Sequence, residues 1–189
     1  MALRHKTPSQ ITNIVAEKYS VTEIEDPILK QGFHIKVGGR YILGKKLGSG
    51  SFGDVYWGID SQKDERGRRQ AVAIKLEKIG NKSSMNDHEA EMYSLLYEKN
   101  KGIAKLLWSG TQDDYHVLVM ELIGPSLDQL FKICQGKFSL STVALIGKQI
   151  LKIINYIHSK GVVHRDIKPD NFLVKISNNV LYTIDMGLC

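Results

Sequence analysis

Cysteine is nearly absent. Cys134 and Cys189 are the only two, far apart and without a metal-ligand pattern around them. That argues against a disulfide framework or a zinc site and suits a reducing cytosol or nucleus. Long apolar runs are missing as well: none approaches the ~18 residues that span a bilayer, so no membrane partner is expected. The opening "MALRHKTPSQ" carries basic residues with no apolar core after them, and reads as something other than a secretory signal. Internal repeats and low-complexity tracts are lacking. So are clusters of Arg and Lys interleaved with aromatics on one face, which argues against a nucleic-acid partner.

What is present is ordinary for a folded protein. The 189 residues are 42% hydrophobic and 24% charged, enough for one domain or two small lobes. A net charge of +6 suits either a solvated basic surface or phosphate-bearing and acidic partners, and by itself it decides nothing. Residues 1–37 read as an extension in which "TPSQITNIVAEKY" has the spacing of a short helix. Residues 38–123 are strand-rich: "YILGKKLG", "DVYWGID", "QAVAIKLEKI", 103–108 and "YHVLVMEL" surround one helix, "MNDHEAEMYSLLYEK". After Gly124-Pro125 the pattern turns helical over 124–189. Ser126 is placed to cap one helix, and Gly161 sits past the end of a long one over 141–160.

Several motifs carry chemistry. "LGSGSFGDVY" holds Gly48, Gly50 and Gly53 in a G-x-G-x-x-G spacing, followed by residues that favour strand. A glycine-rich hairpin lets backbone N–H groups approach phosphate oxygens; the same spacing also suits a flexible hairpin that holds nothing. Lys75 ends "AVAIK" on the strand face opposite Val72 and Ile74, either enclosed beside an anion or reaching water. On the following helix Glu89 falls on the stripe of Met85, Met92 and Leu96, within about 40° of them. A carboxylate on an apolar face needs a cation, so an ion pair between Lys75 and Glu89 is expected.

"GVVHRDIKPDNFLV" is the densest signal. Val162-Val163 and Phe172-Leu173-Val174 form apolar shoulders around His164, Arg165, Asp166, Lys168 and Asp170. Pro169 biases Lys168 toward extended backbone, which puts the Asp166 and Lys168 side chains on the same side. Asp166 and the Asn171 amide oxygen are then expected to meet with an ammonium between them. Such a set accepts a hydroxyl proton, holds a hard cation and neutralises a transferring phosphoryl group. "YTIDMGLC" adds Asp185 after a short strand, a second carboxylate suited to Mg²⁺ held against phosphates.

In this order the motifs resemble the eukaryotic protein kinases. "GSGSFGDVY", "ELIGPSLDQLF" and "HRDIKPDNFLV" resemble the casein kinase I family in particular, over about residues 38–189. The resemblance implies an α+β, two-lobed fold with ATP between an antiparallel β-sheet lobe carrying one helix and a helical lobe. It implies that the turn Gly48, Ser49, Gly50, Ser51, Phe52 and Gly53, with Val55, Ala73 and Met120, lines the nucleotide. Glu121, Leu122 and Ile123 would read adenine through their backbone. Lys75, paired with Glu89, would hold the α- and β-phosphates. Asp166 would be the catalytic base, Lys168 would steady the γ-phosphate, and Asn171 and Asp185 would bind Mg²⁺. Lys168 after "HRD" marks the serine/threonine type, with a cytoplasmic or nuclear setting and acidic or pre-phosphorylated protein substrates.

Two departures stand out. Met186 occupies a position where relatives carry Phe, a slot methionine can fill. The sequence given stops at Cys189, before an activation segment and most of a helical lobe, and the expectation is a shortened product with little phosphotransfer of its own. The competing reading is a weakly active or inactive nucleotide-binding or interaction module.

Overall fold

The computed structural model describes residues 35–50, 53–80 and 84–189. The short helix expected within residues 7–19 and the hairpin tip Ser51-Phe52 lie outside them. The chain divides into two compact units, and among the described residues one comprises 35–94 and 105–122, the other 95–104 and 123–189.

The first unit is a six-stranded antiparallel sheet with one helix. Its strands are β1 (Lys36–Val37), β2 (Tyr41–Gly50), β3 (Gly53–Lys63), β4 (Arg69–Lys78), β5 (Leu106–Gln112) and β6 (Tyr115–Glu121), in the spatial order β1-β2-β3-β4-β6-β5. Period-two alternation sorts the side chains into two faces. Tyr41, Val72, Ile74, Val117 and Val119 share one face and close into a core with Val37. The helix α1 (Ser84–Leu96) follows β4 and buries Glu89, Tyr93 and Leu96, an i, i+4, i+7 stripe. One strand differs from the expectation. The apolar run at 103–108 becomes strand only from Leu106 and then continues through polar residues to Gln112, because Ile103 belongs to the second unit and pairs there with Thr183.

In the second unit, α2 (Leu127–Ile133) starts at Ser126 through a reciprocal cap. The Gln129 N–H donates to Ser126 Oγ at 3.2 Å, and the Ser126 N–H to Gln129 Oε1 at 3.0 Å. α3 (Leu140–Ser159) is capped by Ser139 and closes on Gly161, whose φ of +75° is the left-handed value a glycine adopts without strain. There the Gly161 N–H reaches His158 O at 2.9 Å and the Val162 N–H reaches Ile157 O at 3.3 Å.

Ile153 and Ile157 bury the inner face of α3, while Leu140, Val143, Leu145 and Leu151 are exposed. By length and composition alone α3 is long and apolar enough to cross a membrane. Counting consecutive apolar residues misses this, because Lys148, Gln149, Lys152 and Asn155 interrupt the run. A two-stranded hairpin, β7 (Phe172–Lys175) and β8 (Val180–Thr183), completes the unit.

Candidate active site

The first unit builds one constellation on the face of the sheet opposite its closed core. Val55 stands opposite Lys75 in the β3–β4 register, Ala73 opposite Met120 and Lys75 opposite Leu118 in the β4–β6 register. Directly opposed residues point to the same side, so Val55, Ala73, Lys75 and Met120 share a face. Lys75 is nearly buried there, and its Nζ donates to Glu89 Oε2 at 2.7 Å; Glu89 is only 2% exposed. The pairing expected from strand and helix periodicity is therefore present.

The glycine-rich stretch forms the β2–β3 hairpin. Gly48 faces Val55, Ser49 faces Asp54 and Gly50 faces Gly53. Lys46 Nζ lies 2.8 Å from Asp54 Oδ1 across the hairpin, and hydrogen bonds from Lys46 and then Ser49 hold the Asp54 carboxyl below its usual range. Gly53 is required by local geometry: its φ is +115°, and a Cβ there would run into the carbonyl oxygen of Leu76. At Gly48 a Cβ would meet nothing within 4 Å, so its lack of a side chain leaves open space. Glu121 ends β6 with its N–H on Lys105 O at 3.0 Å and its carboxylate accepting from the Lys105 N–H at 3.2 Å. Ile123 begins the second unit and is buried there.

The second unit gathers the charged loop. Lys168 is extended, at φ −150° and ψ 159°, and its Nζ lies 2.6 Å from Asp166 Oδ2. Pro169–Asn171 then forms one 3₁₀ turn that brings Asn171 back to Asp166. Here the structure corrects an expectation: the Asn171 amide meets Asp166 through nitrogen, not oxygen. Nδ2 donates to Asp166 O and to Oδ2, both at 2.9 Å. The reason is elementary, since a carboxylate only accepts, so the amide turns its NH₂ toward it and its oxygen elsewhere. Hydrogen bonds from Lys168 and then Asn171 outweigh burial and hold the Asp166 carboxyl below the usual carboxylate range, leaving it ionised at neutral pH. The same contact with Asp166 raises the Lys168 ammonium.

The shoulders of this loop are unequal. Phe172 is 1% exposed and anchors the C-terminal side, but Val163 is 58% exposed and anchors nothing. On that side the buried residue is His164, stacked on Phe172 with ring centroids 6.4 Å apart. Its Nδ1 accepts from the Asp166 N–H at 3.3 Å, and its Nε2 lies 2.9 Å from Thr183 Oγ1. Periodicity gave no reason to select either residue. The available signal was a hydroxyl at Thr183 inside the apolar strand "VLYTI", where burial demands a partner. Arg165, between His164 and Asp166, has φ +60° and donates through Nε to the Leu188 carbonyl and through its guanidinium NH₂ to Cys189 O at 3.1 Å. Asp185 follows β8 at φ +67°, and the side chain of Met186 is fully buried, so methionine does fill an apolar slot.

One unit thus holds an ammonium fixed by Glu89 and a glycine-rich hairpin, and the other holds an ionised carboxylate braced by a lysine and an asparagine. Comparison with models of known protein families matches residues 41–189 to the protein kinase domain. Both groups of side chains and most of the chain fall inside that match, and the chain belongs to the protein kinase family.

Proposed function

We propose that this kinase transfers the γ-phosphoryl group of ATP to serine or threonine hydroxyls of proteins, in the manner of the casein kinase I family. The observation that carries the reading is the ionised Asp166 carboxylate, held by Lys168 at 2.6 Å and Asn171 at 2.9 Å. A hydroxyl brought to Asp166 finds a proton acceptor whose orientation is already fixed. Lys168 places a positive charge beside that acceptor, where a transferred phosphoryl group carries negative charge. Lys75, fixed by Glu89, is the group for the α- and β-phosphates. The Gly48–Gly53 hairpin offers backbone N–H groups to phosphate oxygens, and the backbone of Glu121–Ile123 is assigned to adenine.

The donor chemistry fits Mg²⁺. Asn171 uses its nitrogen on Asp166, and its carbonyl oxygen together with the Asp185 carboxylate gives hard oxygen donors. Among the described residues no cluster of three His, Cys, Asp or Glu side chains forms a metal cage. Mg²⁺ commonly takes one or two protein donors and completes its shell with phosphates and water. When bound, ATP with Mg²⁺ supplies the electrophilic phosphorus and the neutralisation of its charge; Asn171 and Asp185 would hold the ion.

The test is a phosphotransfer assay on the purified chain with serine, threonine and tyrosine peptides, acidic and pre-phosphorylated sequences included. The expected result is transfer to serine or threonine, reduced about 10²-fold or more by Asp166→Asn. Transfer to tyrosine alone, or a rate no higher than that of Asp166→Asn, overturns the reading. Stabilisation by ATP with Mg²⁺ in the absence of turnover would favour the nucleotide-binding module.

A further inference from the structure

We propose that Thr183 is a positioning residue for phosphotransfer, acting on Asp166 through the imidazole of His164. The inference rests on the reading of Asp166 as proton acceptor. Three linked groups carry it. The Asp166 N–H donates to His164 Nδ1 at 3.3 Å. A nitrogen that accepts is unprotonated, so the neutral ring carries its proton on Nε2. That Nε2–H has one partner at hydrogen-bond distance, Thr183 Oγ1 at 2.9 Å. His164 and Thr183 are both 0% exposed, so water does not substitute for either of them. The hydroxyl therefore fixes which ring nitrogen faces Asp166.

The loop needs such a brace. Arg165 sits between His164 and Asp166 at φ +60°, a conformation that costs a non-glycine residue energy and persists only where its surroundings enforce it. The Asp166 peptide is gripped from both ends, its N–H by His164 and its carbonyl by Asn171 Nδ2 at 2.9 Å. Thr183 is itself immobilised by its backbone. Its N–H donates to Gly102 O at 2.7 Å, and its carbonyl accepts from the Ala104 N–H at 3.4 Å. The relay thus runs from a pinned strand end to the backbone of the reacting residue. Valine has nearly the shape of threonine but no acceptor. With valine the ring either buries an unpaired Nε2–H or moves its proton to Nδ1, where it opposes the Asp166 N–H.

Thr183→Val and Thr183→Ser, made in the whole chain, test this. The expected result is a kcat about tenfold lower for Thr183→Val at unchanged KM for ATP, with Thr183→Ser close to wild type. Nitrogen-15 spectra of the nucleotide-free chain should show His164 protonated at Nε2 in wild type. They should also show a displaced, faster-exchanging Asp166 amide in Thr183→Val. A Thr183→Val protein with wild-type kcat and an unmoved Asp166 amide overturns the proposal. If Thr183→Val does not fold, wild type decides: His164 protonated at Nδ1 refutes the relay, and protonation at Nε2 with a protected Asp166 amide supports it. A wild-type chain that shows the relay in its spectra and yet transfers no phosphate refutes the kinase reaction and upholds the hydrogen-bonded chain.

Discussion

Lys75 and Glu89 show what a single pair of residues contributes. Both are nearly buried and lie 2.7 Å apart. Removing one partner leaves the other charge enclosed, so Lys75→Met should destabilise the β-sheet unit by about 3–5 kcal/mol. Lys75→Met combined with Glu89→Leu should recover most of that loss, because a buried pair is replaceable by apolar volume. Urea unfolding followed by tryptophan fluorescence reads this unit selectively, since Trp57 and Trp108 both lie in its sheet. Equal losses in the single and double variants would contradict the account. This pair was legible because Glu89 violates the apolar stripe of its helix and Lys75 sits on the strand just before it. His164 and Thr183 were not, because their partnership spans 19 residues of sequence and leaves no periodic trace.

At the scale of elements, β2 and β3 are tied where Tyr41 stands opposite Asp60. Asp60 is buried, and burial pushes its carboxyl upward. Hydrogen bonds from Arg40 and from the Gln62 N–H outweigh that and bring the net shift below the usual value. A carboxyl lowered in the folded state stabilises the fold above its unfolded pKa of about 3.9, and this is lost as pH falls through the folded pKa. Arg40→Ala should therefore be less stable than wild type near neutral pH, with the gap closing below about pH 4 as Asp60 protonates. Denaturation midpoints at pH 7 and pH 3 measure it, and a gap that widens in acid would refute the assignment.

Caps were the most readable features at this scale. Ser126 with Gln129, and Gly161 past α3, act locally and so are written locally. β5 was the least readable, because the apolar Ile103 just before it belongs to the helical unit and pairs there with Thr183, a choice no local pattern encodes.

For the whole molecule, ATP with Mg²⁺ should raise the melting temperature, by an amount that corresponds to about 2.7 kcal/mol at a hundredfold excess over Kd. Asn171→Ala with Asp185→Asn should remove the part of the shift that depends on Mg²⁺ and spare the part seen with ATP alone. A shift insensitive to both changes would place the ion on other residues. The order of motifs along the chain was legible at this scale; the division of the chain was less so. Residues 95–104 belong with the helical unit although they lie between stretches of the sheet.

That arrangement has a mechanical consequence. The connection at 97–101 is clamped at both ends: Leu96 O accepts from the Tyr156 hydroxyl at 3.0 Å, and Gly102 O accepts from the Thr183 N–H at 2.7 Å. Its contour length thereby fixes the spacing between the end of α1 and the β8 end that carries Thr183. Inserting one residue there should slow turnover without touching a single reacting group.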